Sequence, residues 1–335
     1  MRYLIRRFLA LLVTFWIALT VNFALPRLMP GNPIQTMFAR YQGKVSPTAI
    51  HAMQLAFGLN THESELSQYF SYLGRTLSGN LGVSFSYFPE SVASLIRSAL
   101  PWTLGLVGFA TITAFLIGTG LGVLAAWRRG SAGWRRGSVA DSVLVPLGLL
   151  LGALPPFWIA LVLVYFIAFQ FGWFPVGGGL APGQYLGSWS SYLSLVHHAV
   201  LPALTLILVS MGAWILLMRN NMLTVLGDDY VKFARAKGLA SRVIAYRYAA
   251  RNAILPVFAQ LALALGVVVG GQVFIEIVFS YPGVGFLLLN AVENEDYPLM
   301  QGIFLVITVT LLVASFLADV CYVFLDPRVR AEAGK

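Results

Sequence analysis

Charged residues are scarce in this sequence. Only 10% of its 335 residues are charged, whereas 58% are hydrophobic and the mean hydropathy is +0.78. The hydrophobic share of a soluble domain is nearer half, and its charged share is about a quarter. The shortage of charge therefore excludes an ordinary soluble fold and places the chain in a lipid bilayer.

Cysteine is nearly absent, and histidine is rare. The single cysteine, Cys321, lies in the last apolar segment, which excludes a disulfide framework and a thiolate metal site. The histidines, His51, His62, His197 and His198, lack the spacing of a zinc motif. We therefore predict no metal site, and we interpret His197 and His198 as an interfacial pair with no ligand role.

Nucleotide-binding and hydrolytic motifs are also missing. None of the four lysines, Lys44, Lys232, Lys237 and Lys335, has the glycines and hydroxyl of a phosphate-binding loop around it. The sequence contains no Gly-x-Ser-x-Gly elbow and no paired carboxylates placed for general acid and base work. We therefore predict that the chain is not an enzyme and has no catalytic residues and no cofactor of its own.

The net charge of +9 comes from basic residues between apolar segments, where membrane topology explains it better than nucleic-acid binding. Six apolar segments predict spans near residues 8–25, 101–126, 143–171, 200–218, 255–277 and 299–325. Lys and Arg number 3 at the N-terminus, 4 after the second span, 7 after the fourth and 3 at the C-terminus, against 5 after the first. The positive-inside rule then predicts six transmembrane helices with both termini in the cytoplasm.

The predicted spans divide this all-α membrane protein into four parts. Residues 1–29 hold the first span and a basic cytoplasmic N-terminus. The alternative, a secretory signal, lacks a small-x-small cleavage site. Residues 30–100 are polar and form a large predicted extracytoplasmic loop. Residues 101–325 form a five-helix core, and residues 326–335 form a cytoplasmic tail.

A basic stretch over residues 227–256 interrupts the apolar spans in the second half of the chain. Asp228 and Asp229 lie where a helix start needs acceptors, and Gly238 lies where a helix end needs a residue that tolerates positive φ. We therefore expect a short helix over about residues 229–237.

A second short helix is predicted directly after the first. Ser241 is placed to cap it, and Arg247 and Arg251 lie four residues apart on one face until Pro256 interrupts the hydrogen bonding. The pattern thus predicts two short amphipathic helices at a membrane surface.

The first of these helices has the composition of a contact surface. Ala234 and Ala236 are small enough to let another surface come close, beside Arg235 and Lys237, which reach carboxylates or carbonyls. We interpret the helix as a plug for a partner's socket. The alternative is that the charges only set membrane orientation and bind lipid headgroups.

The same stretch resembles the ATPase-docking loop of ABC-importer permeases of the dipeptide, oligopeptide and nickel group. The residues that carry the resemblance are Tyr230, residues 234–238, residues 251–253 and Pro256. The resulting candidates for ATPase docking are Asp229, Tyr230, Ala234, Arg235, Ala236, Lys237, Gly238, Arg251 and Asn252. The general permease pattern has Glu-Ala-Ala ahead of the glycine, where this chain has Lys232, Phe233 and Ala234. That departure fits the peptide and nickel subgroup.

The resemblance continues at residues 79–84, 100–104, 172–175, 279–285 and 326–328. It implies the type I permease fold of ABC importers and one half of a pathway for di- or oligopeptides. Nickel chelates and oligosaccharides stay open as substrates. The implied partners are a second homologous permease subunit, two ATPase subunits that bind ATP and Mg, and an extracytoplasmic solute-binding protein.

Four further residues are candidates for the pathway. Pro155 and Pro156 lie near the middle of the third predicted span, and prolines free backbone groups that membrane depth tolerates only beside protein or water. We interpret them as a pathway-lining bend; a kink that merely fits neighbouring helices is the alternative. Gln272 and Glu276 lie near the outer end of the fifth predicted span. Glu276 either has an interhelix partner or meets a substrate ammonium group or cation.

A different class, an ion-coupled secondary transporter, stays an alternative. It would need an inverted repeat and an ion site at the membrane midplane, and neither is visible in the sequence. An intramembrane enzyme would need catalytic groups at membrane depth, which the predicted spans lack.

Overall fold

The computed structural model describes residues 2–28, 64–130, 139–266, 268, 270 and 272–325. Helices are the regular secondary structure of these residues, with one isolated β-bridge between Val83 and Ser91. The helices are α1 (Arg2–Leu28), α2 (Glu65–Leu77), α3 (Val92–Gly130), α4 (Val139–Ala153), α5 (Pro156–Leu163), α6 (Trp189–Leu226), α7 (Asp229–Ala236), α8 (Ser241–Val243), α9 (Arg251–Gly266), α10 (Val273–Val278), α11 (Val284–Glu293) and α12 (Tyr297–Leu325). π-Helical turns extend α5 over Val164–Gln170 and join α8 to α9 over Ile244–Ala250. The all-α prediction is confirmed for this part of the chain.

Five segments of the described residues are long and apolar enough to cross a membrane. They are Ile5–Leu25, Val92–Trp127, Trp189–Leu226, Ser241–Gly266 and Tyr297–Leu317. The pair Asp141–Ala153 and Pro156–Gln170 makes a sixth span when it is counted as one. The described chain thus has five or six candidate spans, as the apolar segments predicted. The side that each terminus faces stays a prediction, and residues 29–63 and 326–335 lie outside the described residues.

The bend predicted at Pro155 and Pro156 is confirmed. The axes of the two helical segments on either side of the pair differ by 98°. Pro155 caps α5 with φ −59° and ψ 133°, and Pro156 is the first residue of the helix, where its missing N–H leaves no hydrogen bond unmade.

Pro256 does not interrupt the second short helix, contrary to the prediction. α9 runs through Pro256 to Gly266, since neighbouring groups re-satisfy backbone freed by a proline in a membrane helix. Ser241 was also assigned wrongly as a cap. Ala240 occupies the cap position, and Ser241 is the first residue of α8.

The fifth predicted span is broken, although the sequence predicted a continuous helix over residues 255–277. α9 ends at Gly266, and α10 begins only at Val273, after Gln272 in a non-helical conformation. The sequence between the two helices includes Gly270 and Gly271, and glycine destabilises a helix interior. Hydropathy alone did not detect this break, because the whole stretch is apolar.

α3 and α6 pack along each other at the centre of the fold, and α4 crosses α6 at very short distance. Gly148 of α4 and Gly212 of α6 bring the two backbones into contact. A Cβ atom added at Gly212 would lie 2.2 Å from the carbonyl oxygen of Gly148. Small residues of this kind let membrane helices approach closely where lipid offers no hydrophobic driving force.

Candidate docking surface and translocation pathway

A projection between α6 and α9, here named the knob (residues 227–252), contains the predicted docking residues. α7 within it spans Asp229–Ala236, close to the predicted bounds. Gly238 has φ +73°, and its N–H donates to the Arg235 carbonyl at 2.9 Å. The helix therefore ends where glycine was expected to end it, because L side chains rarely adopt this conformation.

The first turn of α7 carries an exposed ion pair. Lys232 Nζ donates to Asp229 Oδ1 at 2.8 Å. This hydrogen bond, together with the positive charge of Lys232, lowers the pKa of Asp229 below its ordinary value. Asp228 occupies the cap position, although its side chain makes no capping hydrogen bond.

Tyr230 and Asn252 connect the start of α7 to the start of α9. Asn252 Nδ2 donates to the Tyr230 hydroxyl oxygen at 2.8 Å and to the Tyr248 carbonyl at 3.1 Å. The two residues are 22 positions apart in the sequence, yet both belong to the predicted docking set. The fold thus brings the two halves of that set into one surface.

One expectation about α7 was wrong, because a residue predicted to meet a partner lies on its inward face. Ala234 was expected to face a partner, but it is only 2% exposed and lies in the knob's own core beside Val231. Its small side chain lets α7 pack closely on this protein's own helices, so we remove Ala234 from the candidate contact surface. Ala236 is exposed, as expected.

The outward face of the knob is basic. Arg235 is half-buried, whereas the exposed members of the predicted set are Asp229, Tyr230, Ala236, Lys237, Gly238, Arg251 and Asn252. Arg242 and Arg247 are also exposed on the knob. Such a surface is suited to carboxylates and to carbonyl groups at the ends of helices.

Phe233 is an exposed aromatic residue that the sequence analysis treated only as a departure from the general pattern. Its side chain is 62% exposed, and Lys237 Nζ lies 4.6 Å from the centre of its ring. Aromatic side chains, Phe among them, are enriched at protein interfaces relative to the rest of the surface. The signal in the sequence was its position on the opposite face from Val231 and Ala234.

The knob shares a hydrophobic core with the membrane-spanning helices. The buried members of this core include Phe115, Val123, Trp214, Met218, Met222, Leu226, Val231, Ala234, Ile244, Ala249, Ala253 and Val257. They come from α3, α6, α7, the second π-helical turn and α9. Close packing transmits strain, and this core joins the knob directly to α6 and α9.

A mostly buried ion pair near the knob was missed by the sequence analysis. Arg219 Nε and Nη2 donate to the two carboxylate oxygens of Asp141 at 2.5 and 3.0 Å, which joins α6 to α4. The bidentate geometry holds both helices in one orientation. No local signal marks the pair, because the residues are 78 positions apart.

The four candidate pathway residues lie on neighbouring elements. Pro155 and Pro156 are exposed at the start of α5, and the rings of Phe157 in α5 and Phe274 in α10 are 6.5 Å apart. Gln272 and Glu276 belong to the turn that starts α10 and to α10 itself. α5 and α10 therefore bring the two pairs to the same region, and substrate contact by Pro155, Pro156 and Gln272 stays a prediction. Glu276 is buried, which contradicts its direct contact with a substrate.

Glu276 has an interhelix partner, which is the first of the two roles that the sequence left open for it. It is 1% exposed; Thr103 Oγ1 donates to Glu276 Oε1 at 2.7 Å, and the Gly285 N–H donates to Oε2 at 2.6 Å. Thr103 Oγ1 in turn accepts the Val284 N–H at 2.8 Å. These bonds fasten α3, α10 and α11 together at the end of the molecule opposite to the knob.

Comparison with known proteins agrees with this architecture. A family model described as "Binding-protein-dependent transport system inner membrane component" matches residues 118–331. A putative peptide permease protein of Brucella ovis is 36% identical, with 94% of each chain covered. A di/tripeptide transport system permease protein of Pseudomonas aeruginosa is 33% identical over 98% of this chain and 99% of its own. An oligopeptide transport system permease protein of Bacillus subtilis is 31% identical over 98% of each.

Proposed function

Because this chain belongs to the family of binding-protein-dependent transport system inner membrane components, we propose that it forms half of the translocation pathway of an ATP-driven peptide importer. It is a multi-pass protein of the cytoplasmic membrane. The proposal rests on the structure of the knob. Its outward face is basic and exposed, and the hydrogen bond between Tyr230 and Asn252 joins the two halves of the predicted docking set in one surface.

The proposed topology places both termini and the knob in the cytoplasm. The distribution of Lys and Arg supports it, since the segments around the knob and at both termini hold most of the basic residues. The predicted loop over residues 30–100 would then lie outside the cell, ahead of the core at residues 101–325, with the tail at residues 326–335 inside.

Energy reaches this chain from partner subunits. Two ATPase subunits bind ATP and Mg. One of them holds the knob of this chain in a socket, with Phe233 and Lys237 at the contact. When the ATPase subunits close, the knob moves with them, and the shared core passes the movement to α6 and α9. A second, homologous permease subunit completes the pathway, and a solute-binding protein delivers the substrate from outside.

The proposed substrates are di- or oligopeptides. The names of similar permeases, which refer to di/tripeptide, oligopeptide and dipeptide transport, support this class. Nickel chelates and oligosaccharides are the remaining alternatives. Pro155, Pro156 and Gln272 are proposed to border the pathway, and Glu276 to support it through its bonds to α3 and α11.

Reconstitution of the complete complex tests the proposal. Permease pair, ATPase subunits and solute-binding protein are assembled in nanodiscs, and ATP turnover is measured with a dipeptide, an oligopeptide, a nickel chelate and an oligosaccharide. We expect a peptide to raise ATP turnover. If only the nickel chelate or only the oligosaccharide stimulated ATP turnover, that compound class, and not peptides, would be the substrate. Uptake that survives ATP depletion but collapses with an uncoupler would favour a secondary transporter.

A further inference from the structure

The helix α2 packs against α1 at the end of the molecule opposite to the knob. Thr20 Oγ1 of α1 and the Tyr69 hydroxyl oxygen of α2 are 2.8 Å apart, and Asn22 Nδ2 donates to the Tyr72 hydroxyl oxygen at 3.2 Å. The rings of Phe23 and Tyr69 make an edge contact at 5.1 Å. One side of α2 is therefore fixed against residues 20–23 of α1.

A second side of α2 is apolar and exposed. Leu66, Phe70 and Leu77 are 71%, 68% and 69% exposed, and at 100° per residue they fall within an arc of about 40°. The side opposite to this arc carries the exposed polar residues Ser71 and Arg75. α2 is thus amphipathic in a strict sense, because apolar and polar side chains occupy separate faces.

The contact between α2 and α1 lies near the C-terminal end of a candidate membrane span. The apolar span of α1 ends at Leu25, so Thr20 lies about 8 Å from that end at 1.5 Å per residue. Interfacial amphipathic helices bury their apolar faces about 5–10 Å into the boundary between headgroups and acyl chains.

The neighbouring surface of α1 is also apolar and exposed. Trp16, Ile17 and Val21 are exposed on α1 just before the contact with α2, within a candidate membrane span. The ring of Phe70 lies 5.7 Å from that of Tyr69, which itself contacts α1. The apolar face of α2 therefore continues the exposed apolar surface of α1 toward the C-terminal end of its candidate span.

We propose that α2 is an interfacial helix that inserts Leu66, Phe70 and Leu77 into the lipid leaflet at the C-terminal end of α1. The polar face, with Ser71 and Arg75, is turned toward the headgroups and water. Under the proposed topology this is the outer leaflet, but the assignment of α2 to lipid rests on its contacts with α1 and not on the transport function.

Lipid contact at α2 also supports the end of the pathway opposite to the knob. The turn after α2 leads to Ser84, whose hydroxyl donates to the buried carboxylate of Asp296, and the Ser86 N–H donates to the same carboxylate at 2.9 Å. Asp296 directly precedes α12, and its Oδ1 accepts the Leu299 N–H at 3.2 Å. When lipid holds α2 in place, it also anchors the turn that follows α2. Through the bonds from Ser84 and Ser86 to Asp296, that turn positions the start of α12.

Site-specific fluorescence in the assembled complex tests this inference. In a Cys321→Ser background, Phe70→Cys and the matched control Ser71→Cys are each labelled with an environment-sensitive dye, and the complex is placed in nanodiscs of phosphatidylethanolamine and phosphatidylglycerol. We expect the label at position 70 to be quenched at least twofold more by lipids spin-labelled near the headgroup than by aqueous iodide. The label at position 71 should show the reverse order.

A second pair, Leu66→Cys and Ser67→Cys, repeats the comparison one turn earlier and guards against a local effect of replacing Phe70. Equal iodide quenching at positions 70 and 71, and at 66 and 67, would overturn the proposal. So would a label at position 70 that resists iodide only after a solute-binding protein is added, since the apolar face would then be a protein-docking face. Neither result would bear on ATP-driven transport, which the reconstitution measures separately.

Discussion

Asn252 donates a 2.8 Å hydrogen bond to the hydroxyl oxygen of Tyr230, which joins the first helical turn of the knob to the first turn of α9. Because α9 belongs to a candidate membrane span, this bond connects the surface proposed to meet the ATPase with that span. The mechanical coupling proposed above therefore has a specific polar contact at its centre, in addition to the apolar core.

Removal of this bond should weaken coupling. Asn252→Ala and Tyr230→Phe each delete it, and a hydrogen bond contributes about 1 kcal/mol, so we expect a roughly fivefold loss of peptide-stimulated ATP turnover. The double variant should lose little more than either single variant, since both remove the same interaction. Fully additive losses would show that the two side chains act independently.

The left-handed conformation at Gly238 predicts a graded series of variants. Gly238→Val forces a β-branched side chain into positive φ, which costs about 1–2 kcal/mol, whereas Gly238→Asn tolerates that region. We expect Val to reduce transport strongly and Asn to retain most of it, with equal amounts of both variants in the membrane. Gly238→Trp, which also adds bulk at the exposed tip, should block transport. Equal transport by the Val and Asn variants would argue against a role for this turn.

The exposed ring of Phe233 should be a major contact for the ATPase subunit. Phe233→Ala removes the ring and its contact with Lys237, and loss of an interface anchor typically costs 2 kcal/mol or more. We expect about a 30-fold weaker association, measured by retention of ATPase subunits on the purified permease pair. Tyr185→Ala, at an exposed aromatic residue near the opposite end, is the matched control and should retain them.

The ion pair of Asp141 and Arg219 should matter for stability more than for docking. Asp141→Ala leaves a mostly buried guanidinium without its carboxylate, a change that costs about 3–5 kcal/mol. Thermal unfolding in nanodiscs should show a lower midpoint temperature. The double variant Asp141→Leu with Arg219→Met should be more stable than Asp141→Ala, because no charge stays buried alone. A midpoint unchanged in Asp141→Ala would contradict this.

Local features of the fold were predictable from the sequence. Asp228 and Gly238 marked the ends of α7, and Pro155 with Pro156 marked a break that the structure confirms as a 98° bend. The signals at Gly238 and at the prolines succeed because positive φ and proline act through neighbouring backbone groups, whereas Asp228 occupies the cap position without a side-chain capping bond.

Features that depend on distant residues were not predictable. The burial of Ala234 is decided by helices that pack on α7, and a small side chain fits an internal contact as well as an external one. Thr103 and Glu276 are 173 positions apart, so their hydrogen bond left no pattern in the sequence. The break between α9 and α10 was hidden because the stretch between them remains apolar.

Charge reversal on the knob tests whether the knob receives the force that drives transport. Arg235→Glu combined with Lys237→Glu is introduced into the complete importer, and peptide uptake is measured together with membrane insertion and retention of the ATPase subunits. We expect a permease pair that inserts normally but loses its ATPase subunits and its peptide uptake. Normal uptake by this variant would contradict the claim that the knob receives the force that drives transport.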